Sequence, residues 1–157
     1  MILFLDFDGV LHPVGSKEGS YFCQLPMLEA FLQNEAPDWK IVISSSWREY
    51  FSFQELLSFF SVDIRARVIG CTLPDGDAAL LNTWGQQAML IPREVQIRQF
   101  LFQRGLRGER WLALDDMADW FSGGSNNPNL ILCDASVGFG DHELTQLRER
   151  SRCQVEG

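Results

Sequence analysis

The sequence predicts an α/β fold, a doubly wound sheet of about five parallel strands with helices on both faces. Three observations carry this. Short apolar runs alternate with longer amphipathic stretches along the whole chain. The runs are nearly continuous in apolar residues, as strands covered on both faces are. The chain has 157 residues, 46% apolar and 22% charged, enough for a real core, with no internal repeat and no linker. It reads as one domain over 1–157.

Ile2–Leu5 is the first run and ends in Asp6. The opening MILFLDFDGVLH carries two aspartates and no basic leader, so it reads as a buried strand and not as a signal peptide. A polar loop with Pro13, Gly15 and Gly19 follows, then a helix over 25–36 with Leu28, Phe31 and Leu32 on one face. Residues 41–43 are β-branched and too few for a helix; they end in Ser44-Ser45-Ser46, hydroxyls suited to capping a helix start. Leu56, Leu57, Phe59 and Phe60 fit the buried stripe of a helix over 49–60. Residues 67–70 form a third strand. Segment 71–91 has a Pro-Asp-Gly turn signal and no period, and reads as a loop insertion or small lid. A helix over 94–103 is ended by Gly105. The fourth strand, 111–114, is closed by Asp115-Asp116; a polar loop over 122–129, a fifth strand over 130–133 and a helix over 141–151 complete the chain.

Bulk properties narrow the function. The net charge is −8 and the pI about 4.7. Non-specific nucleic-acid binding leaves a basic footprint, so nucleic acid is a possible partner that the charge does not indicate. Arg93, Arg98, Arg104, Arg107 and Arg110, and the set Arg148, Arg150 and Arg152, read as solvated helix faces. Four scattered cysteines, no C-x-x-C and two histidines argue against a thiolate zinc site and for a reducing compartment, the cytoplasm by default. No run approaches the roughly 20 apolar residues needed to cross a membrane. The oligomeric state is left open.

In parallel sheets the chemistry collects at the carboxyl ends of the strands. The residues there are Asp6, Ser44 and Asp115-Asp116. Asp6 and Asp8, two apart, can share one side of the chain. Their repulsion calls for a cation, and Mg²⁺ prefers such hard oxygen ligands; Gly9 lets the backbone turn past them. The same D-x-D-G is also a common turn. Asp115-Asp116 is a second acidic pair at a buried strand end, costly without a cation, although either residue could cap a following short helix. Asp119 reads as a surface residue. Ser44 could donate to a phosphoryl oxygen, helped by N–H groups at the start of the next helix. Ser45 and Ser46 read as N-caps, and Trp47 as packing. Ser45 is also a candidate substrate contact, as is Arg48, which faces either substrate or solvent.

DFDGV, then an apolar strand ending in Ser, then one ending in Asp-Asp, resembles the haloacid dehalogenase (HAD) superfamily. The likeness runs from Asp6 to at least Asp116. It implies a HAD/Rossmann-like fold and a Mg²⁺-dependent phosphomonoester hydrolase. Asp6 matches the nucleophile that forms an aspartyl-phosphate. Asp8 matches the acid/base, and its backbone carbonyl joins Asp6 as a metal ligand. Ser44 matches the phosphate-holding hydroxyl, Asp116 the direct metal ligand, and Asp115 its neighbour acting through water. The family needs a Lys or Arg before the fourth strand. No lysine follows Lys40, so Arg93 is the best-placed substitute and Arg98 the next. The interval from Leu11 to Lys40 holds one loop and one helix, so no full cap domain fits. Ser-Ser-Ser-Trp-Arg resembles, more narrowly, small capless bacterial HAD proteins, with related domains in RNA-repair proteins. The substrate is then a phosphorylated small molecule or a macromolecular phosphate end. The alternative is a phosphate-binding or regulatory protein that has lost turnover. A receiver domain would place its phosphoacceptor where this chain has Ser44, which argues against it.

Overall fold

A computed structural model describes residues 1–72 and 91–152 of the chain. Most of the expected lid segment, residues 73–90, lies outside them, and so do residues 153–157. The described strands are β1 (Ile2–Leu5), β2 (Lys40–Ile43), β3 (Val68–Cys71), β4 (Trp111–Asp115) and β5 (Leu130–Leu132). They form one parallel sheet in the order β3-β2-β1-β4-β5. The helices are α1 (Leu25–Asn34), α2 (Phe53–Ser58), α3 (Val62–Arg65), α4 (Arg93–Gln103) and α5 (Asp141–Arg152).

Alternation along β1 sorts the core into two layers. Leu3 and Leu5 pack with Ile41 and Ile43 against Leu28 and Leu32 of α1, Leu56 of α2, Ile64 of α3 and Leu147 of α5. Ile2, Phe4 and Val42 pack on the other face against Ile97, Phe100 and Leu101 of α4. Phe4 is fully buried and meets Phe100 and Trp111 edge-on at 5.8 and 5.9 Å. Truncating such a residue typically costs about 3–5 kcal/mol. Continuing the alternation one step places Asp6 and Ser44 on the face that α4 covers.

Two expectations need correction. The single helix over 49–60 is broken: a 3-10 turn at Ser46–Glu49 precedes the short α2, and α3 is a separate helix beyond it. The break is written at Ser52, whose hydroxyl accepts from the Glu55 N–H while the Glu55 carboxylate accepts from the Ser52 N–H. This capping box starts a new helix inside the apolar stripe. The third strand begins at Val68 rather than 67 and extends to Cys71, with a register shift opposite Ile41 and Val42. Among the described residues no cap domain is inserted between β1 and β2, and no helix is long and apolar enough to cross a membrane.

Candidate active site

The centre of the sheet sets the site. β1 lies between β2 and β4, so the residues following β1 and β2 and those ending β4 converge at one edge. Asp6 is buried, and its Oδ1 accepts from the Phe7 N–H at 2.7 Å. From α4, the buried Arg93 donates through Nη2 to Asp6 Oδ2 at 3.3 Å. Its Nε lies 3.1 Å from Asp115 Oδ2, close enough for an ion pair but not aligned as a hydrogen bond. One guanidinium therefore bridges the ends of β1 and β4. Arg93 does not sit on a solvated helix face, as its run of arginines suggests. Arg98 does: it is mostly exposed and bonds Glu94 on its own helix at 2.6 Å.

Carboxylate oxygens of Asp6, Asp115 and Asp116 all lie within 4.8 Å of one another. Burial pushes Asp6 up to about 6, against the pull of Arg93. Burial and then the Asp6 charge push Asp115 up to about 8. Asp116, half-buried, is raised by burial too. Three carboxylates facing one guanidinium leave negative charge uncompensated. That is the donor chemistry of a hard divalent cation. Gly9 keeps the backbone out of the way: at φ 70° it takes a left-handed turn, and a Cβ there would sit 2.4 Å from Asp116 Oδ2. The residues present thus fit Mg²⁺.

The Asp8 carboxylate stands apart from that trio. Its Oδ1 pairs with His12 Nε2 at 2.9 Å, and its Oδ2 accepts from the Trp47 indole N–H at 2.9 Å. The Phe22 N–H donates to His12 Nδ1, which puts the ring proton on Nε2, facing Asp8. Both Asp8 oxygens are therefore fixed by N–H donors. Sequence reasoning takes Trp47 for packing and passes over the buried His12. The available signal is the spacing, since His12 lies four residues beyond Asp8 and its carbonyl accepts from the Gly9 N–H that closes the turn.

Ser44 is buried and its hydroxyl has no partner among the described residues. Ser45 caps the 3-10 turn, its hydroxyl accepting from the Trp47 N–H at 3.4 Å, and its proximity tempers the upward shift that burial imposes on Asp6. The expected α-helix start after Ser44 is thus only a four-residue 3-10 turn. Arg48 turns inward: it donates to the Ser45 carbonyl at 2.7 Å and to Gln96 Oε1 at 3.1 Å. Burial and the nearby Arg93 charge depress its pKa. Asp119 is exposed.

A family model described as the HAD domain in Swiss Army Knife RNA repair proteins matches residues 2–144. No curated protein and no solved structure matches the chain. The chain belongs to the family of HAD domains of Swiss Army Knife RNA repair proteins, within the HAD superfamily of hydrolases.

Proposed function

We propose that this domain hydrolyses phosphomonoesters through an aspartyl-phosphate on Asp6. The observation that carries the reading is the buried Asp6 carboxylate, held by Arg93 at 3.3 Å within a trio of acidic groups. Asp6, Asp115 and Asp116 would hold Mg²⁺, with the backbone carbonyl of Asp8. Bound there, the ion would neutralise charge on the phosphoryl group.

The residues divide the work. An Asp6 oxygen attacks phosphorus and the P–O bond to the leaving group breaks, with Asp8 delivering a proton to the departing oxygen. To do so, a protonated Asp8 gives up one of its two N–H contacts. Asp8 then takes a proton from water, which attacks the phosphorus and frees Asp6. Arg93 offsets the repulsion between Asp6 and the incoming phosphoryl group. The unpartnered Ser44 hydroxyl, on the same face as Asp6, is free to donate to a phosphoryl oxygen, and Arg48 supplies a second positive charge close by. The place of Arg93 beside Asp6 supports turnover over phosphate binding alone.

A screen of phosphate release over nucleotides, sugar phosphates and RNA ends tests this. Wild type with Mg²⁺ should turn over members of the panel, and Asp6→Asn none. Equal turnover by Asp6→Asn would refute the covalent route.

A further inference from the structure

We propose that the aromatic pocket beside Asp8 is a leaving-group subsite for a nucleobase, carried one sugar away from the phosphorus. The inference rests on Asp8 protonating the leaving oxygen, which makes the groups next to Asp8 the surroundings of the leaving group. A pocket of about 480 Å³ opens there, lined by Glu18, Tyr21, Phe22, Trp47, Phe51 and Phe59. Its volume lies within the range of small-ligand sites. Trp47 ties it to the chemistry, since the same indole that lines the pocket donates to Asp8 Oδ2 at 2.9 Å.

The wall is built in advance. Trp47 stacks on Phe51 with centroids 5.4 Å apart, and Phe22 on Phe59 at 4.6 Å. The Phe22 backbone sits at φ 62°, a left-handed conformation that a bulky residue rarely adopts. Its ring contacts and its N–H bond to His12 hold it there. Against this fixed wall, Tyr21 and Phe51 remain 40% and 37% exposed, with ring surface left for a ligand.

Chemistry and reach select the occupant. Aromatic faces stack on any nucleobase. The one carboxylate in the lining is that of the exposed Glu18. It opposes a second phosphate and favours an uncharged ring. Tyr21 packs on the two rings that touch Asp8, 5.0 Å from His12 and 5.4 Å from Trp47, and Phe51 packs on Trp47 at 5.4 Å. With the leaving oxygen at Asp8, a base carried on a sugar extends further toward Tyr21 and Phe51 than a ring bonded directly to that oxygen.

The test compares kcat/KM for adenosine monophosphate, ribose phosphate and p-nitrophenyl phosphate in wild type, Tyr21→Leu, Phe51→Leu and Tyr21→Phe. In parallel, binding of adenosine monophosphate and of ribose phosphate to Asp6→Asn is measured by equilibrium dialysis. Wild type should prefer the nucleotide to ribose phosphate by about 5- to 150-fold, the range one base–aromatic stack supplies. Each Leu variant should cut that preference while leaving the ribose phosphate and p-nitrophenyl phosphate values in place, and Tyr21→Phe should restore it. Equal use of the two sugar phosphates by wild type, or a preference unmoved in both Leu variants, overturns the subsite. Nucleotide-selective binding by Asp6→Asn without wild-type turnover keeps the subsite and refutes the hydrolase. Turnover without ring preference does the reverse, and binding that ignores the ring overturns the subsite.

Discussion

Replacing Arg93 by Ala removes the only cation seen to touch both Asp6 and Asp115 among the described residues, and the structure lets the cost be worked out. At 3.3 and 3.1 Å, each contact carries on the order of 5 kcal/mol of Coulomb energy at an effective dielectric near 20. The net cost is smaller, because a buried carboxylate deprived of its partner takes up a proton instead. Breaking a buried pair typically costs about 3–5 kcal/mol. For a chain of this size that is a fall in Tm of roughly 6–20 °C. The sign with pH follows from the same groups. Without Arg93, both carboxylates hold protons more tightly still in the folded state while their unfolded value is unchanged, so the deficit grows as pH rises through about 6, the folded-state value of Asp6 in wild type. Thermal melts of metal-free wild type and Arg93→Ala at pH 5.5 and 7.5 should therefore show the larger gap at pH 7.5. A gap under about 2 °C, or one wider at the lower pH, would refute the reasoning. Turnover should also fall, by at least about tenfold, in protein that is still folded.

Three other outcomes are expected. Gly9→Ala places a Cβ 2.4 Å from Asp116 Oδ2 on a left-handed backbone, so it should cost about 1–3 kcal/mol and blunt stabilisation by Mg²⁺, both read from melts with and without the ion. Saturating Mg²⁺ should stabilise wild type by about 2.7 kcal/mol at a hundred times its Kd, and Asp116→Ala far less; equal shifts would exclude the acidic trio as the metal site. Asp115 binds its proton more tightly folded than unfolded, so its favourable contribution is complete below about 3.8 and is lost as pH rises through about 8. Without metal, Asp115→Asn should accordingly gain on wild type in denaturant titrations run at increasing pH between those limits.

The sheet was legible in the sequence because each apolar run stops at a residue with chemistry of its own. Asp6, Ser44 and Asp115 are read as strand ends, and the structure has them there or one residue beyond. Arg93 was singled out because the family resemblance calls for a cation before the fourth strand, and the structure places its guanidinium 3.3 Å from Asp6. Its burial could not be read, because the arginine run that contains it has the composition of a solvated surface. His12 and Trp47 were missed for a related reason. Each is an ordinary residue whose relevance comes from touching Asp8, and Trp47 lies 39 positions away along the chain. The break within the expected helix at 49–60 was legible and overlooked: Ser52 and Glu55 spell a capping box, but the apolar stripe of Leu56 to Phe60 masked it.

The covalent role of Asp6 is tested most directly by trapping. Under the proposed mechanism Asp8→Asn should slow the second half of the reaction, so acid-quenched protein incubated with Mg²⁺ and a substrate having a good leaving group should accumulate one phosphoryl group. Peptide mapping by mass spectrometry should place it on Asp6. A phosphoryl group on any other residue, or turnover with none trapped in Asp8→Asn, would contradict the mechanism.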